Sequence, residues 1–114
     1  MDVNKKILAL SQIVNLPVEE DEYEGNASEY VVFNYSDERS TEFGDDNPLI
    51  NTASMMIKAV LKKNTDYFII KDKIWEYLLS IGAYDITFQT YLERISNDKK
   101  MRNLIFDYKI TKER

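Results

Sequence analysis

From Ile50 to Lys62 the chain alternates. Ala53, Met55, Ile57, Ala59 and Leu61 occupy every second position, while Thr52, Ser54, Lys58 and Lys62 fall between them. Successive side chains of a strand point to opposite faces, so this period of two predicts a β-strand with one dry and one wet side. A strand with a dry face cannot stand alone. It requires partner strands and a second layer to cover the apolar side, which restricts the fold to a sheet backed by something else.

The rest of the chain supplies both. Glu29 to Tyr35 is short and dense in aromatic and β-branched residues, and predicts a strand. Ile86, Phe88, Thr90 and Leu92 alternate with Thr87, Gln89 and Tyr91, and Leu104, Phe106, Tyr108 and Ile110 alternate with Ile105, Asp107, Lys109 and Thr111. These predict two more strands, joined by the polar turn Ser96-Asn97-Asp98-Lys99-Lys100. Val3 to Asn15 carries Ile7, Leu10, Ile13 and Val14 at helical spacing, with Asp2 or Asn4 as cap and Leu16-Pro17 as terminator. A second helix starts at Asn64, Thr65 or Asp66, presents Tyr67, Ile70, Ile74, Tyr77, Leu78 and Ile81, and stops at Gly82. Ser36 to Pro48, with Gly44 and Asp45-Asp46-Asn47-Pro48, predicts a long polar connection. The order α-β-β-α-β-β predicts an α+β fold in a single domain over residues 1–114. It is a four-stranded, mostly antiparallel sheet with two helices packed on one face. The opposite face is expected to carry Thr52, Ser54, Lys58, Thr87, Gln89, Tyr91, Asp107 and Lys109.

Composition narrows the chemistry. With no cysteine and no histidine, the chain has no disulfide, no thiolate zinc site, no Cys nucleophile and no His base. Gly25, Gly44 and Gly82 are too far apart for a phosphate loop. Asp45-Asp46 reads as turn-forming rather than as an acid–base pair or metal site, and Lys71 and Lys73 read as solvated. No nucleophile–base pair is evident, so no enzymatic activity and no cofactor are expected. The apolar runs are too short for a membrane span, and the N-terminus lacks the apolar stretch of a signal peptide.

The net charge of −5 is unevenly spread. Glu19 to Asp46 holds eleven acids against the single base Arg39, and the remaining residues hold nine acids and fourteen bases. Two readings follow: solvated acid-rich loops, or complementary surfaces through which one copy meets the next. A uniform basic footprint for nucleic acid is absent, and the basic-glycine-aromatic signature of RNA-binding sheets is missing, so no sequence-specific nucleic acid is expected. Most aromatics read as core. Trp75 lies one position off the Ile74–Leu78–Ile81 stripe, and Phe43 sits in a polar loop. Each is either a structural anchor or a contact to a neighbouring subunit.

Taken in order, the short N-terminal helix ending in Leu16-Pro17-Val18, the strand Glu29–Tyr35 and the turn Glu42-Phe43-Gly44-Asp45-Asp46-Asn47 form a pattern. It continues with the strand around Met55 to Lys62, the helix Asp66–Ile81 with Gly82, and the closing hairpin with Tyr91-Leu92-Glu93 and Ile105-Phe106-Asp107-Tyr108. This pattern resembles the tail completion (tail-terminator or head–tail joining) proteins of long-tailed bacteriophages and prophages, over roughly Leu16 to Thr111. The resemblance implies a structural morphogenesis subunit of the virion, assembled in the host bacterial cytoplasm. It implies a homo-oligomeric ring, of six copies, at the head-proximal end of the tail, with the tail tube protein and head connector proteins as partners. Phe43, Asp45, Asp46 and Trp75 are the expected interface residues. The alternative reading is a small acidic adaptor or inhibitor of a host protein.

Overall fold

The computed structural model describes residues 3–40 and 50–113. The elements run α1 (Val3–Leu8), α2 (Leu10–Val14), β1 (Val18–Glu20), β2 (Tyr30–Ser40), β3 (Ile50–Lys62), α3 (Tyr67–Ser80), β4 (Tyr84–Ser96) and β5 (Lys99–Glu113). The protein is α+β, with a mixed five-stranded sheet in the order β1-β2-β3-β5-β4. Two details differ from the sequence expectation of four mostly antiparallel strands and two helices. β1 is a fifth strand, parallel to β2 through Val18↔Val31 and Glu20↔Phe33. The N-terminal helix is broken at Ala9, where Gln12 N–H bonds back to the Ala9 carbonyl at 3.1 Å in a tighter i→i+3 step. The break turns Ile13 outward, although Ile7, Leu10 and Val14 remain buried.

β3 pairs with β5 along its whole length, from Ile50↔Glu113 to Lys62↔Met101. This places Ala53, Met55, Ile57, Ala59 and Leu61 in one layer with Leu104, Phe106, Tyr108 and Ile110, all buried. Ile74 and Leu78 of α3 and Ile7, Leu10 and Val14 of the N-terminal helices close the same core. Each such aliphatic side chain removed from water stabilises the fold by about 1.5–3 kcal/mol. β2 runs five residues beyond its predicted end. An irregularity between Tyr35 and Asp37 absorbs Ser36, and pairing resumes to Ser40↔Asn51, so part of the predicted loop is strand. The expected wet face holds for Thr87, Gln89, Tyr91, Asp107 and Lys109, which are exposed. It is interrupted by Val60, Met101, Asn103 and Ile105, which are buried.

Two connections are locally encoded. Asp66 is the cap of α3, its side chain accepting from Phe68 N–H at 3.1 Å. At the other end Ala83 N–H bonds to Leu78 O at 2.9 Å and Gly82 N–H to Leu79 O at 3.1 Å, the paired bonds of a Schellman stop. Gly82 sits at φ 90°, where a side chain is disfavoured by the backbone alone, since nothing lies within 4 Å of an added Cβ. Glu29, assigned by sequence to the strand, instead latches the β3–α3 turn. Its Oε2 accepts from Lys62 N–H at 2.9 Å and from Thr65 Oγ1 at 2.5 Å.

Two stability measurements follow. Gly82→Ala lowers stability by about 1 kcal/mol, seen as a lower urea midpoint at unchanged slope. Burial, and to a smaller degree the neighbouring Tyr35, holds the Tyr108 phenol well above its ordinary 10.0. The unfolded chain therefore ionises first, so this stabilisation is complete below pH 10 and is lost as pH rises beyond it. The loss reaches at most about 1.4 kcal/mol per pH unit. The Tyr108 hydroxyl has no partner among the described residues. Tyr108→Phe accordingly changes neutral-pH stability by under about 1 kcal/mol. It flattens the alkaline decline seen when urea unfolding is compared at about pH 8 and about pH 11.

Candidate assembly surface

The sheet ends on one side at β4. Its only strand partner is β5, so every second N–H and C=O along its outer margin is unpaired by strand among the described residues. β4 is 13 residues long, against three for β1 at the opposite edge. Proteins blunt such edges with proline, lysine, inward charge or shortness. Tyr84 to Ser96 contains neither proline, glycine nor lysine. Its register shifts only at the two ends, between Tyr84 and Thr87 and between Arg94 and Ser96, leaving Thr87–Glu93 in regular pairing with β5. Tyr91 and Leu92 are exposed and Ile95 is 54% accessible, so this edge is apolar as well as open.

α3 lies beside it. Its inner stripe, Ile74 and Leu78, is in the core, and Tyr77 ties the helix to α1 by donating to the Lys6 carbonyl at 2.5 Å. The flanking stripe runs Phe68, Lys71, Asp72, Trp75 and Leu79 at helical spacing, with Phe68 59% and Leu79 56% exposed. Trp75 is half-buried. One side of its indole rests on Phe106 at 6.5 Å between ring centroids, and Phe106 in turn meets Phe88 of β4 at 5.0 Å. Lys71 Nζ stands 4.9 Å above the Phe88 ring, a cation–π contact that spans the helix and the strand. Lys71, Asp72, Trp75 and Phe88 line an open cavity of about 430 Å³. It has an aromatic floor and one charge of each sign at the rim, which suits packing of an apolar side chain from a partner.

Of the sequence-predicted interface residues, Trp75 lies at this surface. Phe43, Asp45 and Asp46 lie outside the described residues. Sequence reasoning placed Phe88 and Leu92 together on the helix-facing side of their strand. Phe88 does face α3, but Leu92, on the outermost strand, is exposed. Lys71, read as a solvated lysine, is held over a ring. The edge position of β4 was missed, since strand order is a long-range property with no local signal. Among the described residues no group of three or more acids is placed to hold a metal, and no helix is long and apolar enough to cross a membrane.

The arrangement separates residues that support the fold from residues that only cover its margin. Phe88→Ala is expected to cost about 2 kcal/mol, because its ring contacts Phe106 and Lys71. Ile95→Ser is expected to change monomer stability by less than about 0.5 kcal/mol. Urea titration of both variants checks the contrast. No known protein family matches the chain, and no curated protein matches it either.

Proposed function

We propose that this protein is a self-assembling structural subunit, acting as a tail completion or head–tail joining protein of a long-tailed phage or prophage. It forms a ring at the head-proximal end of the tail. The observation that carries the reading is the unblunted edge of β4, with its exposed Tyr91, Leu92 and Ile95 and the aromatic cavity alongside. Edge strands add neighbouring strands readily, and a contact that joins unlike surfaces closes into a ring when its rotation allows. The resemblance drawn from the sequence supplies the phage role; the sheet edge supplies the means of assembly. The tail tube and the head connector are the partners that the role requires.

Gel filtration with light scattering tests self-assembly. The purified chain, alone or with tail tube protein, is expected to form a concentration-dependent oligomer. The double variant Leu92→Asp, Ile95→Asp is expected to weaken association at least about tenfold. A strict monomer at every concentration, with and without tube protein, overturns the reading. A second reading, an acidic adaptor, draws on the exposed acids Glu20, Asp21, Glu22 and Glu24. It is favoured instead if a host lysate yields one stoichiometric bound protein while the chain remains monomeric.

A further inference from the structure

The exposed charges along the two margins of the sheet differ in sign. Tyr30 of β2 pairs with Val60 of β3, Val60 with Asn103 of β5, and Asn103 with Tyr91 of β4. At one edge β1 and the loop after it run beside β2, from Asp21, whose N–H bonds to the Phe33 carbonyl at 2.8 Å, back to Tyr23 against Tyr30. At the other the β4–β5 hairpin projects beyond this row. Residues 19–29, at the first edge, hold six acids and no base. Residues 94–102, at the second, hold four bases against one acid. Glu20, Glu22 and Glu24 are exposed on the one side, and Arg94, Lys99 and Lys100 on the other.

The acidic loop is held in place by its own contacts. Asp21 takes a left-handed φ of 67° directly after β1, and Glu22 N–H bonds to the Glu20 carbonyl at 2.7 Å. Tyr23 then folds back to stack on Tyr30 at 4.4 Å, and its hydroxyl accepts from Ala27 N–H at 2.8 Å. Gly25 lies under this ring, where a Cβ would collide with the Tyr23 hydroxyl. Glu29 anchors the far end through Lys62 and Thr65. A charged surface ordered before contact loses little entropy on binding.

Building on the self-assembly proposed above, we infer that the copies join head to tail, with the basic β4–β5 hairpin of one against the acidic β1–β2 edge of the next. Edge-to-like-edge pairing sets acids against acids or bases against bases, and is disfavoured. The opposite-edge contact alone is complementary, and it also brings Tyr91, Leu92 and Ile95 towards the Tyr23–Tyr30 stack. Exposed ion pairs are individually weak, so the charges select which edges meet, while apolar contact and strand pairing supply the affinity. Because the two surfaces lie on opposite sides of one chain, the contact propagates from copy to copy, and it closes as a ring when its rotation allows.

A charge-swap experiment tests this. Variant one is Lys99→Glu, Lys100→Glu; variant two is Glu22→Lys, Glu24→Lys, each checked for folding by circular dichroism. Each alone is expected to associate at least about tenfold more weakly than wild type by sedimentation velocity. Mixed in equal amounts they present only complementary contacts, in alternation, and are expected to recover association. Wild-type association is expected to weaken between about 50 mM and about 500 mM salt. Arg94→Glu serves as an independent substitution on the hairpin if variant one does not fold. An oligomer that is indifferent to these reversals, or a mixture that stays dissociated, overturns this contact while leaving self-assembly standing. A wild type that never associates overturns both.

Discussion

The uninterrupted ladder between β3 and β5 is the constraint on which the other elements depend. Its register opposes Ala53 to Ile110 and Ala59 to Leu104, with Met55–Tyr108 and Ile57–Phe106 between them. Small residues thus face large ones at both ends of the row, and the layer left above them admits a helix. A slip by one residue would expose this whole set and bury its polar complement, so the covering layer and the register enforce each other. β5 also separates two strands that are close in sequence. β3 and β4 run in the same direction, linked by α3, and the last strand of the chain occupies the place between them. The sheet cannot be completed until that strand arrives, and the same insertion leaves β4 at the margin.

The face opposite the helices is not simply wet. Asn103 is fully buried there between Val60 and Tyr91 in register, with its amide nitrogen donating to Glu93 Oε1 at 3.0 Å and its amide oxygen without a partner among the described residues. The ladder around it includes the long side chains of Lys58 and Tyr30, a kind that shields aliphatic surface on a central strand with stems and rings. An amide in that position favours one pairing of β4 with β5 over its neighbours, since a shifted register would separate it from Glu93. On the helix side Arg102 plays a comparable part, reaching Thr90 Oγ1 at 3.4 Å and lying 4.9 Å from the Tyr67 ring. The Thr90 contact joins the two strands of the hairpin that carries the open edge, and the Tyr67 contact binds that hairpin to α3.

What was legible in the sequence follows from how local each signal is. The alternation at 50–62 gave β3 its bounds because each side chain records the face it occupies. The Asp66 cap and Gly82 stop marked α3 because they act through the backbone bonds of neighbouring residues. β1 was not legible: Val18-Glu19-Glu20 has no alternating apolar set and becomes a strand only because β2 offers it an edge. Ala9 is a good helix former, and nothing about it announces a break. β4 and β5 run beyond their apolar stretches because paired strands extend each other through backbone bonds that need no apolar side chain. At the candidate surface, Trp75 was visible from its offset on the helical stripe. Its relation to Phe88 and Lys71 required the crossover that brings α3 beside β4.

The unlike lengths of the two edges bear on what assembly the fold permits. A three-residue strand offers few backbone groups to a partner, whereas the 13 residues of β4 offer a long row. Two copies meeting through β4 alone would satisfy both rows and stop at a dimer, since each would have used its one long edge. Continued growth demands that β4 meet a different surface, which leaves the next β4 free. The acids after β1 give that surface an identity of its own, and the bases of the hairpin give β4 a reason to prefer it over another β4. The sequence asymmetry between acid-rich and base-rich segments therefore maps onto the geometric asymmetry of the sheet. It is this coincidence, rather than either property by itself, that connects the fold to the proposed ring.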